Sequence, residues 1–290
     1  MSLNLDKRIN FDFLFDSAVA KSNTLIFKLL MAIITLTSDW GDSDYYSAAV
    51  KGAIYKQMPT AHIVDITHKI PLFQIAQAAY VLRNTYPNFP DGTVHIIGVN
   101  SEESMDEPHT VAYFKKQYFI GTDNGVFSLL FEEEKPEKLI ELDILLASER
   151  FTFSSRDRFA KAAVHLANGG DLEDLGKIKA ELNHRIPLKP IRNDNSIRGV
   201  IIHIDNYQNI ITNISKEMLE GLVKKRSFQI QVRGGKINKI SDAYGDVPSG
   251  ILVALFSAND LLEIAMNQGT AAPLLGVGIG DAVIVELEEE

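Results

Sequence analysis

The sequence predicts an α/β protein with two domains: an N-terminal α/β domain with a largely parallel sheet, and a smaller C-terminal all-β, barrel-like domain. Strand-like and helical stretches alternate from residue 32 to about residue 176, which is typical of a parallel sheet with crossover helices. Beyond residue 195, strand-like runs are separated mainly by turn residues. A polar segment that contains proline, Asn183–Asn195, lies between the two patterns and is predicted to be a linker.

Each element of the first domain is predicted from its own run of residues. Apolar, β-branched runs predict strands at Ile33–Thr37, His62–Ile66, Thr93–Val99, Tyr118–Gly121 and Leu139–Leu142. The stretches between them predict helices at Tyr45–Gln57, Gln74–Thr85 and Arg158–Ala167.

The second domain is predicted to be rich in strands. Its strand-like runs are Gly199–Ile204, Ser227–Arg233, Leu252–Ser257 and Ala282–Leu287. Asp260–Met266 is the one stretch there that has a helical pattern. We therefore expect a first domain over residues 31–190 and a second over residues 196–290.

The first thirty residues are predicted to be an extension outside both domains, either disordered or not native to the protein. Residues 1–23 mix apolar and polar side chains without a sustained helical or strand period. The apolar run that follows, Thr24–Leu36, is interrupted by Lys28 and is shorter than the roughly 20 residues that a membrane span requires.

Composition excludes several classes of function. The chain has 290 residues and no cysteine, so disulfide frameworks, thiolate zinc sites and cysteine nucleophiles are excluded. Its 29 basic and 38 acidic residues give a net charge of −9, which disfavours a nucleic-acid partner because binding the phosphate backbone requires clustered Lys and Arg. The seven histidines form no metal-ligand spacing, so no metal is expected. We expect a cytoplasmic protein with a small-molecule ligand and no membrane partner.

Known nucleotide-binding motifs are missing from the sequence. No phosphate-binding loop of the Gly-x-x-x-x-Gly-Lys-Ser/Thr type is present, and the glycine-rich string Gly276–Gly280 opens no helix. Polar clusters follow or precede predicted elements instead, at Thr37–Asp42, Thr152–Asp157 and Asp205–Asn209. The ends of strands are where an open α/β sheet binds its ligand, and an Asp in the first cluster could accept two hydrogen bonds from a ribose diol. Helix capping and an ordinary β-turn are the alternative roles for these clusters.

Taken in order, the clusters and the segments around them resemble the S-adenosylmethionine hydroxide adenosyltransferase family, which also includes fluorinase and chlorinase enzymes. The resemblance covers residues 32–287, nearly the whole chain beyond the predicted extension. The matching segments are Ile34–Gly41, Val50–Gly52, Ile63–His68, Phe89–Val94, Asp123–Gly125, Thr152–Asp157, Ile204–Ile214 and Leu262–Ala272.

The resemblance implies an assembly, a substrate and a reaction. The expected assembly is a homotrimer whose substrate lies between the first domain of one subunit and the second domain of its neighbour. S-adenosylmethionine is then the substrate, and no further cofactor is expected. The reaction is an in-line displacement at C5′, in which the sulfonium leaves as neutral methionine and the nucleophile is water, hydroxide or a halide.

The same resemblance implies roles for individual residues. Asp39 would hold the ribose hydroxyls beside Trp40, and Phe73 would pack beside the ribose and the methionine portion. Asp205 and Asn209 match the residues that hold the methionine ammonium and carboxylate. The segment expected to meet the adenine is Ser257, Ala258 and Asn259.

The chain departs from the family pattern at the nucleophile. Members that use hydroxide carry an Asp/Arg/His set that positions water; here Asn100 stands in the Asp position and Ser154 in the His position. No arginine lies between Arg83 and Arg150 to complete the set. An amide cannot act as a base, and acid–base assistance is typically worth ~10²–10⁴-fold, so we expect weakened or altered hydrolysis.

Two features near these positions leave alternatives open. The loop Glu102–Glu107 carries four carboxylates that would repel an anion near the site, or would form an ordinary solvated loop, and His109 is a candidate substitute base. Ser155 matches a serine or glycine of the halide pocket in halogenating members. The candidate catalytic residues are therefore Asn100, Ser154 and Ser155. Three functions follow: cleavage to adenosine and L-methionine, non-catalytic binding of S-adenosylmethionine or adenosine, and synthesis of a 5′-halo-5′-deoxyadenosine.

Overall fold

The computed structural model describes residues 33–145 and 152–288. The chain divides between Arg185 and Ile186 into two compact units, which are described separately. The extension predicted for residues 1–30 lies outside the described residues. Within the described ranges, no helix is long and apolar enough to cross a membrane.

The first unit alternates strands and helices along most of its length. Its strands are β1 Ile33–Ser38, β2 His62–Thr67, β3 Val94–Gly98, β4 His109–Phe114, β5 Gln117–Thr122, β6 Lys138–Leu142 and β7 Gly176–Ile178. Its α-helices are α1 Tyr46–Gln57, α2 Ile75–Thr85, α3 Val126–Phe131 and α4 Ala160–Ala167. A π-turn, Ser155–Phe159, leads directly into α4.

The strands form one mixed sheet in the order β2-β1-β3-β5-β4-β6-β7. β1 pairs in parallel with β2 and β3, and β3 pairs in parallel with β5. β4 is antiparallel to both β5 and β6, so β6 again runs in the direction of β1. The predicted α/β domain with a mostly parallel sheet is confirmed. No strand was predicted from the sequence at β4. The residues of this strand are almost all buried and show no alternation with polar residues.

Helices cover both faces of this sheet. Alternate residues of β3 enter different cores, with Ile96 on the face of α1 and α4, and Ile97 on the face of α2 and α3. The apolar residues of α1 that reach the first core are Val50 and Ile54. The two buried layers cover both faces of the sheet, whereas the ends of the strands are not covered by these helices.

The second unit is an antiparallel barrel with two short helices. Its strands are β8 Ile191–Arg192, β9 Ser196–Ile204, β10 Ile210–Ser215, β11 Phe228–Val232, β12 Gly235–Ile237, β13 Leu252–Phe256, β14 Leu261–Met266 and β15 Ala282–Leu287. Its helices are α5 Lys216–Val223 and α6 Ala271–Leu275. The strand order is β12-β11-β15-β9-β10-β14-β13, with β8 paired to β9. A bridge between Ile240 and Ala254 links the segment after β12 to β13, so the barrel is nearly closed, as predicted.

The prediction of a helix at Asp260–Met266 is wrong. Residues 261–266 form β14, which pairs with β10 and β13, and Leu262 and Ile264 point from it into the barrel core. A short apolar run fits a buried strand and a helix equally well, and pairing with two neighbouring strands decides between them here. Helix α5 begins instead after Ser215, whose hydroxyl accepts the Met218 amide at 3.2 Å.

Candidate functional site

The carboxyl ends of β1, β2 and β3 meet at one edge of the first sheet. The chain leaves β1 for β2 on one side and later returns to β3 on the other, which makes this edge a topological switch point. Backbone bonds join the loops there: Gly41 N–H donates to the His68 carbonyl at 2.7 Å, and Ile70 N–H donates to the Ser38 carbonyl at 3.2 Å. This edge is the candidate site of the first unit.

Asp39 follows β1 at the centre of this edge. Its Oδ2 accepts the backbone N–H of Phe73 at 3.0 Å and that of Asn100 at 3.4 Å. Phe73 and Asn100 have positive φ angles of 64° and 45°, a conformation that costs energy in residues other than glycine. One carboxylate oxygen therefore holds two strained loops in place. The other oxygen, Oδ1, has no hydrogen-bond partner among the described residues and is available to a ligand.

Aromatic rings surround Asp39. Trp40 stacks on His68 with ring centroids 5.7 Å apart, and Phe153 meets its edge at 6.2 Å. Gly98, at the end of β3, lies directly under the indole, because a Cβ there would come within 2.9 Å of Cε2 and closer still to Cζ2. Phe73 is two-thirds exposed, at 67%. The edge therefore offers flat apolar surfaces beside a carboxylate, which suits a nucleoside.

The second polar cluster forms the π-turn before α4. Ser154 and Ser155 are both buried, and the Ser155 hydroxyl has no hydrogen-bond partner among the described residues. Arg156 donates to both carboxylate oxygens of Asp157 at 2.6 and 2.7 Å and lies over the Phe153 ring. π-Turns inside helices are rare and frequently occur at functional sites, and an unpartnered buried hydroxyl is a place for a small ligand.

Asn100 is held through its backbone. Its amide donates to Asp39, and its carbonyl accepts the side-chain N–H of buried Asn124 at 2.9 Å. Among the described residues, no hydrogen bond joins Asn100 to Ser154 or Ser155. The three candidate catalytic residues thus lie on two loops, one of which Asp39 contacts directly.

The acidic loop after β3 is partly neutralised by arginines. Arg158 Nη1 lies 2.7 Å from both carboxylate oxygens of Glu103, and Arg185 lies 3.6 Å from Glu107. Glu102 and Asp106 are exposed. The loop is therefore neither an unpaired anionic patch nor a wholly solvated segment. Sequence reasoning missed the pairing of Arg158 with Glu103, since the residues are 55 positions apart and no motif joins them.

His109 is fully buried beside this ion pair. Its Nδ1 lies 3.0 Å from Arg158 Nη1, and its Nε2 lies 3.1 Å from the Ser101 carbonyl. An arginine can only donate, so Nδ1 is the acceptor and Nε2 carries the proton. Burial lowers the pKa of His109, and Arg158 lowers it further, whereas Glu103 and the Ser101 carbonyl raise it. Because both nitrogens are engaged, His109 has no free nitrogen with which to act as a base.

In the second unit, the turn between β9 and β10 carries the third polar cluster. Asp205 Oδ1 accepts the Asn209 amide N–H at 2.8 Å, and Oδ2 accepts the Asn209 side-chain N–H at 3.2 Å. Asn209 is buried, whereas Tyr207 at the tip of the turn is exposed. The carboxylate and the amide are thus held side by side, as the recognition of an ammonium and a carboxylate requires.

A buried carboxylate that the sequence analysis missed lies near this turn. Glu263 is 5% exposed and accepts the Tyr244 hydroxyl at 2.8 Å. Burial raises the pKa of Glu263, the Tyr244 hydrogen bond lowers it and the charge of Asp205 raises it. Burial and Glu263 together raise the pKa of Tyr244 to about 12. The signal in the sequence was a single acid inside the apolar run of β14.

Ser257, Ala258 and Asn259 lie elsewhere in the second unit. They form the turn between β13 and β14, where the Ser257 hydroxyl bonds the Asn259 side chain. β10 pairs with β14 so that Ile210 faces Ile264 and Ser215 faces Leu261, which places this turn and the Asp205 turn at opposite ends of β10. Five residues of strand separate them by roughly 17 Å. The structure does not bring this segment together with Asp205 and Asn209.

No cluster of three or more His, Asp or Glu residues that could hold a metal ion occurs in the two described ranges.

Comparisons with known proteins match both units. The model of the SAM hydroxide adenosyltransferase N-terminal domain matches residues 34–176, and that of its C-terminal domain matches residues 199–284. A crystal structure of an uncharacterized conserved protein from Thermotoga maritima is similar, with a TM-score of 0.80 and 30% identity. That similarity covers 87% of this chain and 99% of the other.

Curated relatives extend the comparison to named enzymes. The (R)-S-adenosyl-L-methionine hydrolase of Thermus thermophilus is 30% identical over 86% of this chain and 98% of its own. The enzyme of the same name from Methanocaldococcus jannaschii is 33% identical over 88% of this chain and 95% of its own. The fluorinase of Nocardia brasiliensis is 23% identical over 88% of this chain and 97% of its own.

Proposed function

The chain belongs to the SAM hydroxide adenosyltransferase family, and from this premise we propose that it cleaves S-adenosylmethionine to adenosine and L-methionine. Water attacks C5′, the C5′–O bond forms as the C5′–S bond breaks, and the sulfur keeps the electron pair. The water loses one proton to the solvent. The observation that carries the proposal is the Asp39 carboxylate, which lies at the switch point of the sheet with one oxygen unpartnered among the described residues.

The substrate is gripped at two places. The Asp39 carboxylate accepts hydrogen bonds from the ribose hydroxyls, with Trp40 and Phe73 on either side of the ribose. Asp205 and Asn209 bind the methionine end. Carboxylates at both places suit a substrate that carries a sulfonium and an ammonium. Holding both ends keeps oxygen, C5′ and sulfur close to one line, which in-line displacement requires. The adenine role expected for Ser257, Ala258 and Asn259 is not carried into this proposal, because their turn lies at the far end of β10.

The assembly and the location belong to the same proposal. The family resemblance supports a homotrimer in which each substrate contacts residues of two copies, and a cytoplasmic location stays a prediction. Light scattering after size exclusion is expected to give the mass of three chains. A monomer that still turns over substrate would contradict the shared site.

The nucleophile is proposed to lie between the loops of Asn100 and Ser155. The unpartnered hydroxyl of Ser155, 1% exposed, supports a small ligand there. Ser154 is buried in the same segment. With an amide at position 100, the loop can orient a water but cannot take its proton, so turnover is expected to be slower than a base-assisted route allows.

The test is direct. Purified protein is incubated with the R and S sulfonium epimers separately, since the names of the relatives specify R, and adenosine and methionine are quantified by chromatography. Equimolar adenosine and methionine from the R epimer are expected. Calorimetric binding of S-adenosylmethionine without any product would refute hydrolysis and favour the non-catalytic binder.

A second candidate function is favoured by Ser155 alone. A buried hydroxyl without a partner can donate to a halide as well as to water. Parallel incubations with fluoride, chloride or bromide, analysed for 5′-halo-5′-deoxyadenosine, separate the two reactions. Adenosine as the sole product at high halide would remove this candidate.

A further inference from the structure

Three charged or titratable side chains from separate elements meet next to the candidate site. Glu103 belongs to the loop after β3, His109 begins β4, and Arg158 lies in the π-turn. Arg158 Nη1 contacts both Glu103 and His109, at 2.7 and 3.0 Å. Its side chain is 12% exposed, so the guanidinium is held firmly at low solvent exposure. We call these three side chains the Arg158 cluster.

The Arg158 cluster is connected to Asp39 through one loop. The Asn100 amide donates to Asp39, and the next carbonyl, that of Ser101, accepts the His109 Nε2 proton. Two residues later the Glu103 carboxylate receives Arg158. The contacts therefore couple the position of the Arg158 guanidinium to the loop that Asp39 holds.

Buried donors near Arg158 remain without partners. Arg158 Nε and the Ser155 hydroxyl belong to the same π-turn, and neither has a hydrogen-bond partner in the described part of the chain. The Thr122 hydroxyl is also unpartnered there, and Thr122 is the cross-strand neighbour of His109. Buried polar groups in native proteins are almost always satisfied. We therefore expect these donors to bind a small hydrogen-bond acceptor, either part of a ligand or a water molecule.

We propose that Arg158, held between Glu103 and His109, is the residue that positions the attacking water in the proposed displacement at C5′. The inference rests on the proposed function and deepens it. Nη1 is occupied by the carboxylate and the imidazole, whereas Nε–H is buried without a partner among the described residues and would orient the water oxygen together with the Ser155 hydroxyl. The carboxylate of Glu103 balances the charge of the guanidinium, so the cluster has no net charge and favours neutral water over a halide.

The arrangement also requires His109 to be neutral. The charged groups that face its ring are Glu103 from the loop and Arg158 from the π-turn, and the Phe159 ring packs on it at 4.8 Å. Protonation at Nδ1 would remove the acceptor of the Arg158 hydrogen bond and place two cations in contact. Because the folded-state pKa of His109 is lowered, the arrangement is intact at neutral pH and is lost as the pH falls through that lowered pKa.

The test compares Arg158→Gln, Arg158→Lys and Glu103→Gln with the wild type. Arg83→Gln is the matched control, because Arg83 also pairs with a carboxylate, Glu132, but on the opposite face of the sheet. Adenosine formation is expected to fall ~10²-fold in kcat for Arg158→Gln with KM nearly unchanged, to fall less for Arg158→Lys, and to stay at the wild-type rate for Arg83→Gln.

A pH profile separates positioning from a merely structural role. In the wild type, protonation of His109 breaks its contact with Arg158 and produces the acid limb of kcat, so this limb is expected to be absent from the residual kcat of Arg158→Gln. Removing the negative charge of Glu103 lowers the pKa of His109 further, so in Glu103→Gln the limb moves to lower pH. Thermal unfolding of each variant is measured in parallel. If Arg158→Gln does not fold, the pH of the acid limb of kcat in Glu103→Gln, compared with that of the wild type, tests the inference.

The possible results separate the two proposals. Wild-type protein that releases no adenosine would refute the proposed function and this inference with it. Two results would overturn the inference alone. One is a kcat of Arg158→Gln within twofold of the wild type. The other is an acid limb of kcat that stays at the wild-type pH in both Arg158→Gln and Glu103→Gln. A halide-dependent product that disappears in Arg158→Gln would also overturn it, since the bound acceptor would then be an anion.

Discussion

Replacing Gly98 by alanine is expected to displace Trp40 and weaken ligand binding without unfolding the protein. Gly98 ends β3 beneath the indole, and its missing side chain is what allows Trp40 to lie flat over the strand end. The indole has little room to retreat, because it stacks on His68 and meets the edge of Phe153. A methyl group at position 98 therefore acts on the candidate site.

The size of the effect follows from the geometry. The new Cβ would lie 2.9 Å from Trp40 Cε2 and 3.1 Å from Cη2. Carbon atoms pack at about 3.5–4.0 Å, so the indole must recede by at least about 0.6 Å at Cε2 and by more at Cζ2. Overpacking of this kind costs about 1–3 kcal/mol, and the same energy taken from ligand binding corresponds to an affinity loss of about 5- to 150-fold.

The assay uses the tryptophan itself. Trp40 is the only tryptophan of the chain, so its fluorescence emission reports this position without interference. A shifted emission maximum and weaker binding of S-adenosylmethionine by calorimetry are expected for Gly98→Ala. Gly52→Ala is the matched control, because Gly52 lies in α1 with nothing within 4 Å of the added Cβ. If Gly98→Ala matches this control in both emission and affinity, the placement of Trp40 in the ligand site is wrong.

Three further changes test the site and the interior. Asp39→Asn removes a charged acceptor and is expected to weaken the binding of S-adenosylmethionine, measured by calorimetry, by roughly 10- to 150-fold. The control Asp91→Asn, at an exposed position, is expected to leave the affinity unchanged. Equal affinities of the two variants would contradict the ribose role of Asp39. Burial lowers the pKa of His95 from 6.5 to about 4, so the stability that neutral His95 provides is full above pH 6.5 and is lost as the pH falls towards 4. This lowered pKa is worth roughly 3 kcal/mol, and urea unfolding of His95→Gln should show a flatter pH dependence than the wild type. Burial raises the pKa of Glu263, so ionising this carboxylate destabilises the folded state increasingly as the pH rises above its pKa in the unfolded chain. Glu263→Gln is therefore expected to be more stable to urea than the wild type at pH 7 but not at pH 4. Lower stability of the variant at pH 7 would refute this.

Secondary structure was predictable wherever the pattern of a segment was unambiguous. The runs that became β1, β2 and β3 are apolar and flanked by turn residues, and the structure has them as predicted. β4 was missed because its residues are almost all buried, which removes the alternation that identifies a strand. β14 was mistaken for a helix because a run of six residues, five of them apolar, carries too little periodicity to distinguish a strand from a helix.

Some residues of the candidate site were likewise predictable from the sequence, and others were not. Asp39 was predictable because it directly follows the first strand of an α/β pattern, where ligands bind. Arg158 was not, because its partners Glu103 and His109 come from a loop and a strand 55 and 49 residues earlier in the chain. The sequence showed no arginine where the family motif has one and could not show that an arginine reaches the same loop from the π-turn.

By itself, the sequence determined the family, the two-part fold and the carboxylate at the end of β1, because each depends on residues that are close together in the chain. Only the tertiary structure decided which acids are neutralised, which hydroxyls lack partners and which nitrogen of His109 carries the proton. These properties depend on contacts between distant segments, since burial and the direction of each hydrogen bond are set by whatever packs on the other side. Arg158 is the clearest case, since its contacts with Glu103 and His109 join segments 55 and 49 residues apart.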